Sequence, residues 1–459
     1  MDDLICISPV DGREYARRPL TPPGEVDRAI QQARLAQREW AQVPLQERCQ
    51  IVGAFVTAME TLNPEIIPEL AWQMGRPVRY QGELRSLVER VKGMIDIAGE
   101  ALAPDVREKG PARRYVSRQP VGLVLVIAPW NFPFLTAANT IIPALIAGNA
   151  VLLKHASQTL LAGERFEQAL SIAGLPDGLF RNLFLSHEQT ARLLSSGPVT
   201  HATFTGSVEG GRAIERAAAG SFTTLTLELG GKDSAYVRQD ADLSGAVESL
   251  VDGAFYNSGQ SCCGVERIYV HEDLWQPFLD RFVEGVHRYR LGDPLDPETS
   301  LGPMSSARAA EQVRAQIAQA VEAGAQTHVE RQLFPQDKAG TTYLMPQVLT
   351  GVDHGMAVMR EESFGPVVGL MPVRDDAEAL RLMNDSAFGL TASIWTSDLE
   401  AADRIGQQVE AGTVFANRCD YLDAALAWTG VKDSGRGASL GRYGYESVTR
   451  PKSFHLRSP

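Results

Sequence analysis

Cysteine is scarce in this 459-residue chain, and it does not form a framework where it occurs. The five residues, at positions 6, 49, 262, 263 and 419, are odd in number and show no C-x-x-C spacing. That pattern argues against a disulfide-stapled fold and a cysteine zinc site. A reducing compartment, the cytoplasm, is expected. Long apolar runs are missing as well: no stretch reaches the roughly 18 apolar residues of a membrane span. The opening Met1-Asp2-Asp3-Leu4 lacks the basic and apolar regions of a secretory leader. There is no excess of positive charge, since 44 Lys and Arg face 56 Asp and Glu for a net charge of -12. Nucleic acid and acidic membrane surfaces are therefore not expected as partners.

What is present describes an ordinary folded protein, 44% hydrophobic and 22% charged. Its length favours two domains, with a third structural part. The first hundred residues read as helical. Val26, Ala29, Ile30, Ala33 and Ala36 have helical spacing, Pro44 suits the first turn of a second helix reaching about Glu60, and Leu84, Leu87, Val88, Val91, Ile95 and Ala98 share a face of a third. Strands and helices then alternate. Strands are expected at 121–127, 150–154, 182–185, 202–205 and 224–229, with helices near 134–147, 159–172 and 207–219. A second alternating region runs from 234 to about 430, with strands at 265–270, 392–396 and 413–417. This alternation predicts an α/β protein with parallel sheets covered on both faces. Such sheets bind ligands at the carboxyl ends of their strands. Two polar stretches, Arg113–Gln119 and Lys452–Leu456, alternate like exposed strands, marginal alone. They are expected to form a small sheet that pairs with another subunit; the plainer reading is two solvated edge strands.

One stretch organises the rest. Asn257-Ser258-Gly259-Gln260-Ser261-Cys262-Cys263-Gly264 holds two adjacent cysteines between a helical run (Leu243 to Ala254) and a strand-like run (Val265 to Val270). A cysteine in such a loop is placed like a nucleophile. The competing reading is a pair of buried, inert thiols.

Four further pieces decide between them: Ala128-Pro129-Trp130-Asn131-Phe132-Pro133, Phe204-Thr205-Gly206-Ser207, Leu227-Glu228-Leu229-Gly230-Gly231-Lys232 and Glu361-Glu362-Ser363-Phe364-Gly365-Pro366. With Gly259-Gln260-Ser261-Cys262, in this order, they closely resemble the aldehyde dehydrogenase superfamily. The likeness runs nearly end to end and takes in Asn417 and Ser434-Gly435. It implies a Rossmann-like cofactor domain (1–101 and 121–230), a second α/β catalytic domain (231–448) and a small oligomerisation sheet (102–120 and 449–459). It also implies a homodimer or homotetramer acting on a small-molecule aldehyde.

The resemblance assigns roles that the chemistry makes sense of. Cys262 is the expected nucleophile, because a thiolate adding to the carbonyl carbon creates the tetrahedral centre from which hydride leaves. Cys263 is then a bystander facing the core, or a redox partner. Asn131 and the Cys262 N–H are the expected oxyanion donors; taken alone, Asn131 also suits a turn beside Pro133. Glu228 is the expected base that activates water to hydrolyse the thioester. Coenzyme A-acylating relatives typically lack that base, so a free acid is the expected product. The rival readings are coenzyme A acylation and a non-catalytic structural or binding member. A serine hydrolase is disfavoured by the lack of a GxSxG elbow.

For NAD or NADP, the resemblance points to Trp130, Lys154, Gly206, Ser207, Gly230, Glu362 and Phe364. Gly206-Ser207 opens a helix, where free N–H groups favour phosphate. Two departures stand out. Many NAD-preferring members have Glu three residues after the lysine, where this chain has Ser157; a Glu would repel a 2′-phosphate, so NADP is the expected preference. Many members carry Glu where Ser439 stands, which puts a proton-exit role there in doubt. Tyr256, Leu422 and Trp428 match the substrate mouth and suggest a partly apolar tunnel. Arg418 and Asp420 are alternatives for a polar tail. The Arg that one type of succinic semialdehyde enzyme carries just before Gly259-Gln260 is absent, although Lys154-His155-Ala156-Ser157 resembles a subgroup that includes semialdehyde enzymes.

Overall fold

Two largely parallel sheets carry the molecule, each built from the apolar runs of one alternating region. The computed structural model describes residues 3–108 and 112–457. The first sheet has six strands in the order Gly435–Arg436, Thr224–Glu228, His201–Thr205, Leu123–Ile127, Ala150–Lys154 and Phe180–Asn182. All neighbours are parallel except the first pair. Leu123–Ile127 and Ala150–Lys154 are buried throughout, as strands covered on both faces must be. Helices Pro23–Trp40, Leu45–Met74, Leu84–Ala101, Pro133–Ile146 and Leu160–Ile172 share its hydrophobic core. Trp428, Leu440, Tyr445 and Val448 join that same core, so the chain returns to the first sheet after building the second.

The second sheet has seven strands, ordered Gln326–Thr327, Gln347–Thr350, Val367–Val373, Val265–His271, Asp233–Val237, Thr391–Trp395 and Thr413–Ala416. Two of its inner strands escape a reading by pattern. Asp233–Val237 is fully buried but opens on Asp233-Ser234. Val367–Val373 carries Gly369 and Pro372, which weaken a strand signal.

Three expectations need correction. Residues 3–19 are not helical: Asp3–Ile7 and Glu14–Pro19 pair antiparallel around a turn with Gly12 at φ +76°. Cys6 and Ala16 bury there against Leu160. The Asp11-Gly12 pair is a local hairpin signal. The second helix does not stop near Glu60 but runs to Met74 through Pro64 and Pro68. An interior proline costs about 3 kcal/mol, and burial of Leu62, Ile66, Leu70 and Met74 offsets it. The strand expected at 182–185 lies at Phe180–Asn182.

The polar stretches do pair. Thr449–Arg457 runs antiparallel to Ala112–Pro120, which also pairs with Asp105–Glu108. Tyr115 and Phe454 stack across this sheet with centroids 4.6 Å apart. Among the described residues, no helix is long and apolar enough to cross a membrane.

Candidate active site

Helix Leu243–Phe255 ends in a tight turn whose backbone only certain residues tolerate. Asn257 and Ser258 take φ of 53° and 58°, followed by Gly259 at +69°. A side chain at Gly259 would collide with the Gly365 carbonyl, so glycine is required there. Asn257 bridges the turn through its amide, donating to Asn131 O at 3.3 Å and Gln260 O at 3.2 Å. The turn delivers two different cysteines. Cys262 is half-buried. Cys263 is fully buried and donates to Asp420 Oδ1 at 2.9 Å. Contact with the Cys262 sulfur and burial hold the Cys263 thiol well above its usual range. The Cys262 N–H has no protein acceptor among the described residues.

Asn131 is buried beside this loop, its Nδ2 donating to Gln260 O at 3.2 Å. Its own carbonyl accepts from Arg76 Nη2 at 2.6 Å. Arg76 in turn pairs with Glu83 at 2.6 Å, with both side chains almost wholly buried. The other Glu83 oxygen accepts from Phe134 N at 3.1 Å and Leu135 N at 2.8 Å, capping helix Pro133–Ile146. Arg76 also lies over Phe132, 4.6 Å from the ring centre. Nothing local in the sequence marks this pair.

Glu228 ends its strand at the carboxyl end of the first sheet, as expected. Thr205 Oγ1 donates to Glu228 Oε2 at 3.0 Å, and Ser439 Oγ donates to Oε1. Burial raises the Glu228 carboxyl above the usual carboxylate range, while these hydroxyls and the nearby Arg90 cation pull it back. The strand end is braced by Ser434, whose hydroxyl donates to Gly230 O at 2.7 Å. The Asn417 side chain, by contrast, bonds the Thr396 backbone, at 2.9 Å in each direction.

A cavity of about 440 Å³ opens on one side of Cys262 and Glu228. It gathers Trp130, Lys154, Gly206, Ser207, Gly230, Glu362 and Phe364. Ser157 is not on its wall; it is exposed and opens the turn just beyond Ala156, which is. Lys154 is nearly buried, and burial lowers its pKa. Phe364 adopts φ 48° and meets Trp130 edge to face at 5.7 Å. Side chains at Gly206 and Gly210 would come within 2.7 and 2.5 Å of the Phe204 ring. Burial pushes Glu362 up to about 8, and it accepts from Gly231 N at 3.0 Å. A side chain at Gly230 would strike the Glu362 carboxylate. Ser207 caps helix Val208–Ala218, accepting from Gly210 N at 3.1 Å. A buried lysine, a helix N-terminus and a groove that side chains would fill suit a dinucleotide. Glu266 supports the far wall, accepting from Ser363 N and Phe364 N while paired with Lys232. No local motif marks that support.

A second cavity, of about 410 Å³, opens on the other side of the same Cys262 and Glu228. Tyr256, Leu422 and Trp428 all line it. Asp420 lines it too, already accepting from Cys263 and, at 3.2 Å, from Ser261 Oγ. Arg418 is stacked on the Tyr421 ring, 3.3 Å from its centre.

A half-buried thiol and a buried carboxylate thus lie between a dinucleotide-sized groove and a second pocket. The aldehyde dehydrogenase family model matches residues 2–454. An aldehyde dehydrogenase of Paenarthrobacter nicotinovorans is 34% identical, covering 98% of this chain and 99% of its own. An NADP(+) succinate-semialdehyde dehydrogenase of Mycobacterium avium is 32% identical over 99% and 97%. The solved succinic semialdehyde dehydrogenase of Streptococcus pyogenes, in complex with NADP+, superposes with a TM-score of 0.93 at 28% identity, covering 99% and 100%. The chain belongs to the aldehyde dehydrogenase family. It is an oxidoreductase acting on the aldehyde group.

Proposed function

We propose that the protein oxidises an aldehyde to the free carboxylic acid through a thioester on Cys262, with NADP favoured over NAD. The observation that carries this reading is that Cys262 and Glu228 line both cavities. Aldehyde entering from the Tyr256 side meets the Cys262 sulfur, and the thiolate adds to its carbonyl carbon. The oxygen that gains charge is held by the Cys262 N–H and the Asn131 amide, both fixed before reaction. The bound nicotinamide supplies the hydride acceptor. Glu228 then takes a proton from water, and the water attacks the thioester and releases the acid and the thiol. Thr205 and Ser439 aim the carboxylate. Lys154, Glu362 and Phe364 bind and orient the dinucleotide, and Ser157 leaves room for a 2′-phosphate where a carboxylate would repel it.

The same reading makes residues 1–101 with 121–230 the cofactor domain and 231–448 the catalytic domain. The sheet of 102–120 and 449–459 pairs with a second copy, since among the described residues strand Thr449–Arg457 has a partner on one side only. A dimer or tetramer in the cytoplasm fits that edge and the five free cysteines. The test is reduced-nicotinamide absorbance with a panel of aldehydes, run with NADP and NAD in parallel. Turnover without coenzyme A, with NADP preferred, supports the proposal. Turnover that requires coenzyme A, or that uses NAD alone, removes it.

A further inference from the structure

Arg90 lies in helix Leu84–Ala101 and is 7% exposed. Its guanidinium makes one hydrogen bond, from Nη1 to the neutral Asn139 Oδ1 at 3.0 Å. Among the described residues it has no carboxylate partner. Its Nε is buried without an acceptor, and so is the Nδ2 of Asn139 beside it. The two carboxylates that reach it electrostatically are already engaged, Glu83 with Arg76 and Glu228 with Ser439 and Thr205. A buried charge without a partner is strongly disfavoured, so Arg90 is suited to receive an anionic group from the cavity it lines.

Arg90 and Asn139 line the cavity that also holds Cys262, Tyr256 and Trp428. We propose that Arg90, with the Asn139 amide, anchors the carboxylate of an ω-oxo-acid whose aldehyde end meets Cys262. The inference rests on the aldehyde-oxidising reading of that cavity. A guanidinium offers a carboxylate paired, charge-assisted donors, and Asn139 Nδ2 adds another. The buried carboxylates of this cavity, Glu83, Glu228 and Asp420, are each already engaged by donors, and the rim carries Glu89, Asp252 and Asp423, all exposed. Those charges are hydrated and screened within about 8–10 Å, whereas Arg90 acts from a desolvated position. The inner cation sets the preference.

The test compares succinic semialdehyde, butanal and 4-aminobutanal on wild type, Arg90→Gln and Asn139→Asp. The second variant satisfies Arg90 internally and keeps the fold even where the first does not. Wild type should prefer succinic semialdehyde. Both variants should lose about 30-fold or more in the ratio of kcat/KM for succinic semialdehyde to kcat/KM for butanal, the scale of truncating a buried charge contact; taking the ratio cancels any shared effect of the lost cation on Glu228. Binding of succinate to wild type with NADP present, followed calorimetrically, should vanish in both variants. Arg90-dependent succinate binding without turnover of any aldehyde would sink the oxidising role and leave the anchor standing. A wild-type preference for butanal or 4-aminobutanal, or equal losses on all three substrates, would overturn the anchor.

Discussion

Ser439→Ala removes one of the two hydroxyls that donate to Glu228. Those bonds favour the carboxylate, which is the form that accepts a proton from water. Burial already raises Glu228, so the ionised form depends on its donors. A hydrogen bond to a charged group contributes about 1.5–3 kcal/mol. At 1.36 kcal/mol per tenfold, losing it should reduce the ionised population about 10- to 100-fold at pH values below the titration. The sign follows: the variant's Glu228 holds its proton to higher pH, so the acid limb of deacylation moves upward. Loss of rate should be largest in acid and should vanish where both enzymes are fully ionised. Decay of the acyl-enzyme, followed by rapid quench from pH 6 to 9.5, reads this directly. Ser439→Thr should restore the wild-type profile. A loss that is the same at every pH, or an unmoved acid limb, would refute the idea that Ser439 sustains the base.

Other expectations are equally concrete. Cys263→Ala should keep most activity, because its thiol is buried on Asp420; a dead Cys263→Ala with an active Cys262→Ala would reverse the assignment of the nucleophile. Ser157→Glu should raise the KM for NADP about tenfold or more through like-charge repulsion and leave NAD nearly unchanged, as steady-state kinetics would reveal. Arg76→Met leaves Glu83 buried and unpaired. It should destabilise by about 3–5 kcal/mol, seen as a lower thermal midpoint, and an unchanged midpoint would discount the pair. With Glu362 near 8, its carboxylate form grows as pH rises through that value. Cofactor binding measured by fluorescence should tighten from pH 7 to 9, and Glu362→Gln should flatten that dependence.

Much of the first sheet was legible because its strands are short, unbroken apolar runs. Leu123–Ile127 and Ala150–Lys154 are examples, buried end to end. What pattern missed was governed by long-range partners. Asp233 opens an inner strand and bonds Thr391, far along the chain. Pro64 and Pro68 read as helix stops, yet tertiary burial carries the helix past them. The site divides the same way. Cys262, Glu228, Glu362 and Phe364 sit in local motifs. Arg76, Glu83, Arg90 and Glu266 gain meaning only from residues distant in sequence. Ser439 stands out in sequence only as a departure from a resemblance, and its bond to Glu228 comes from the fold.

The most direct test of the two-step chemistry is the intact mass of Glu228→Gln after one turnover with NADP and a reactive aldehyde. The expected outcome is a stoichiometric burst of reduced nicotinamide and a stable adduct on Cys262, two hydrogens lighter than the added aldehyde. No adduct, or one on Cys263, would contradict a Cys262 thioester hydrolysed through Glu228.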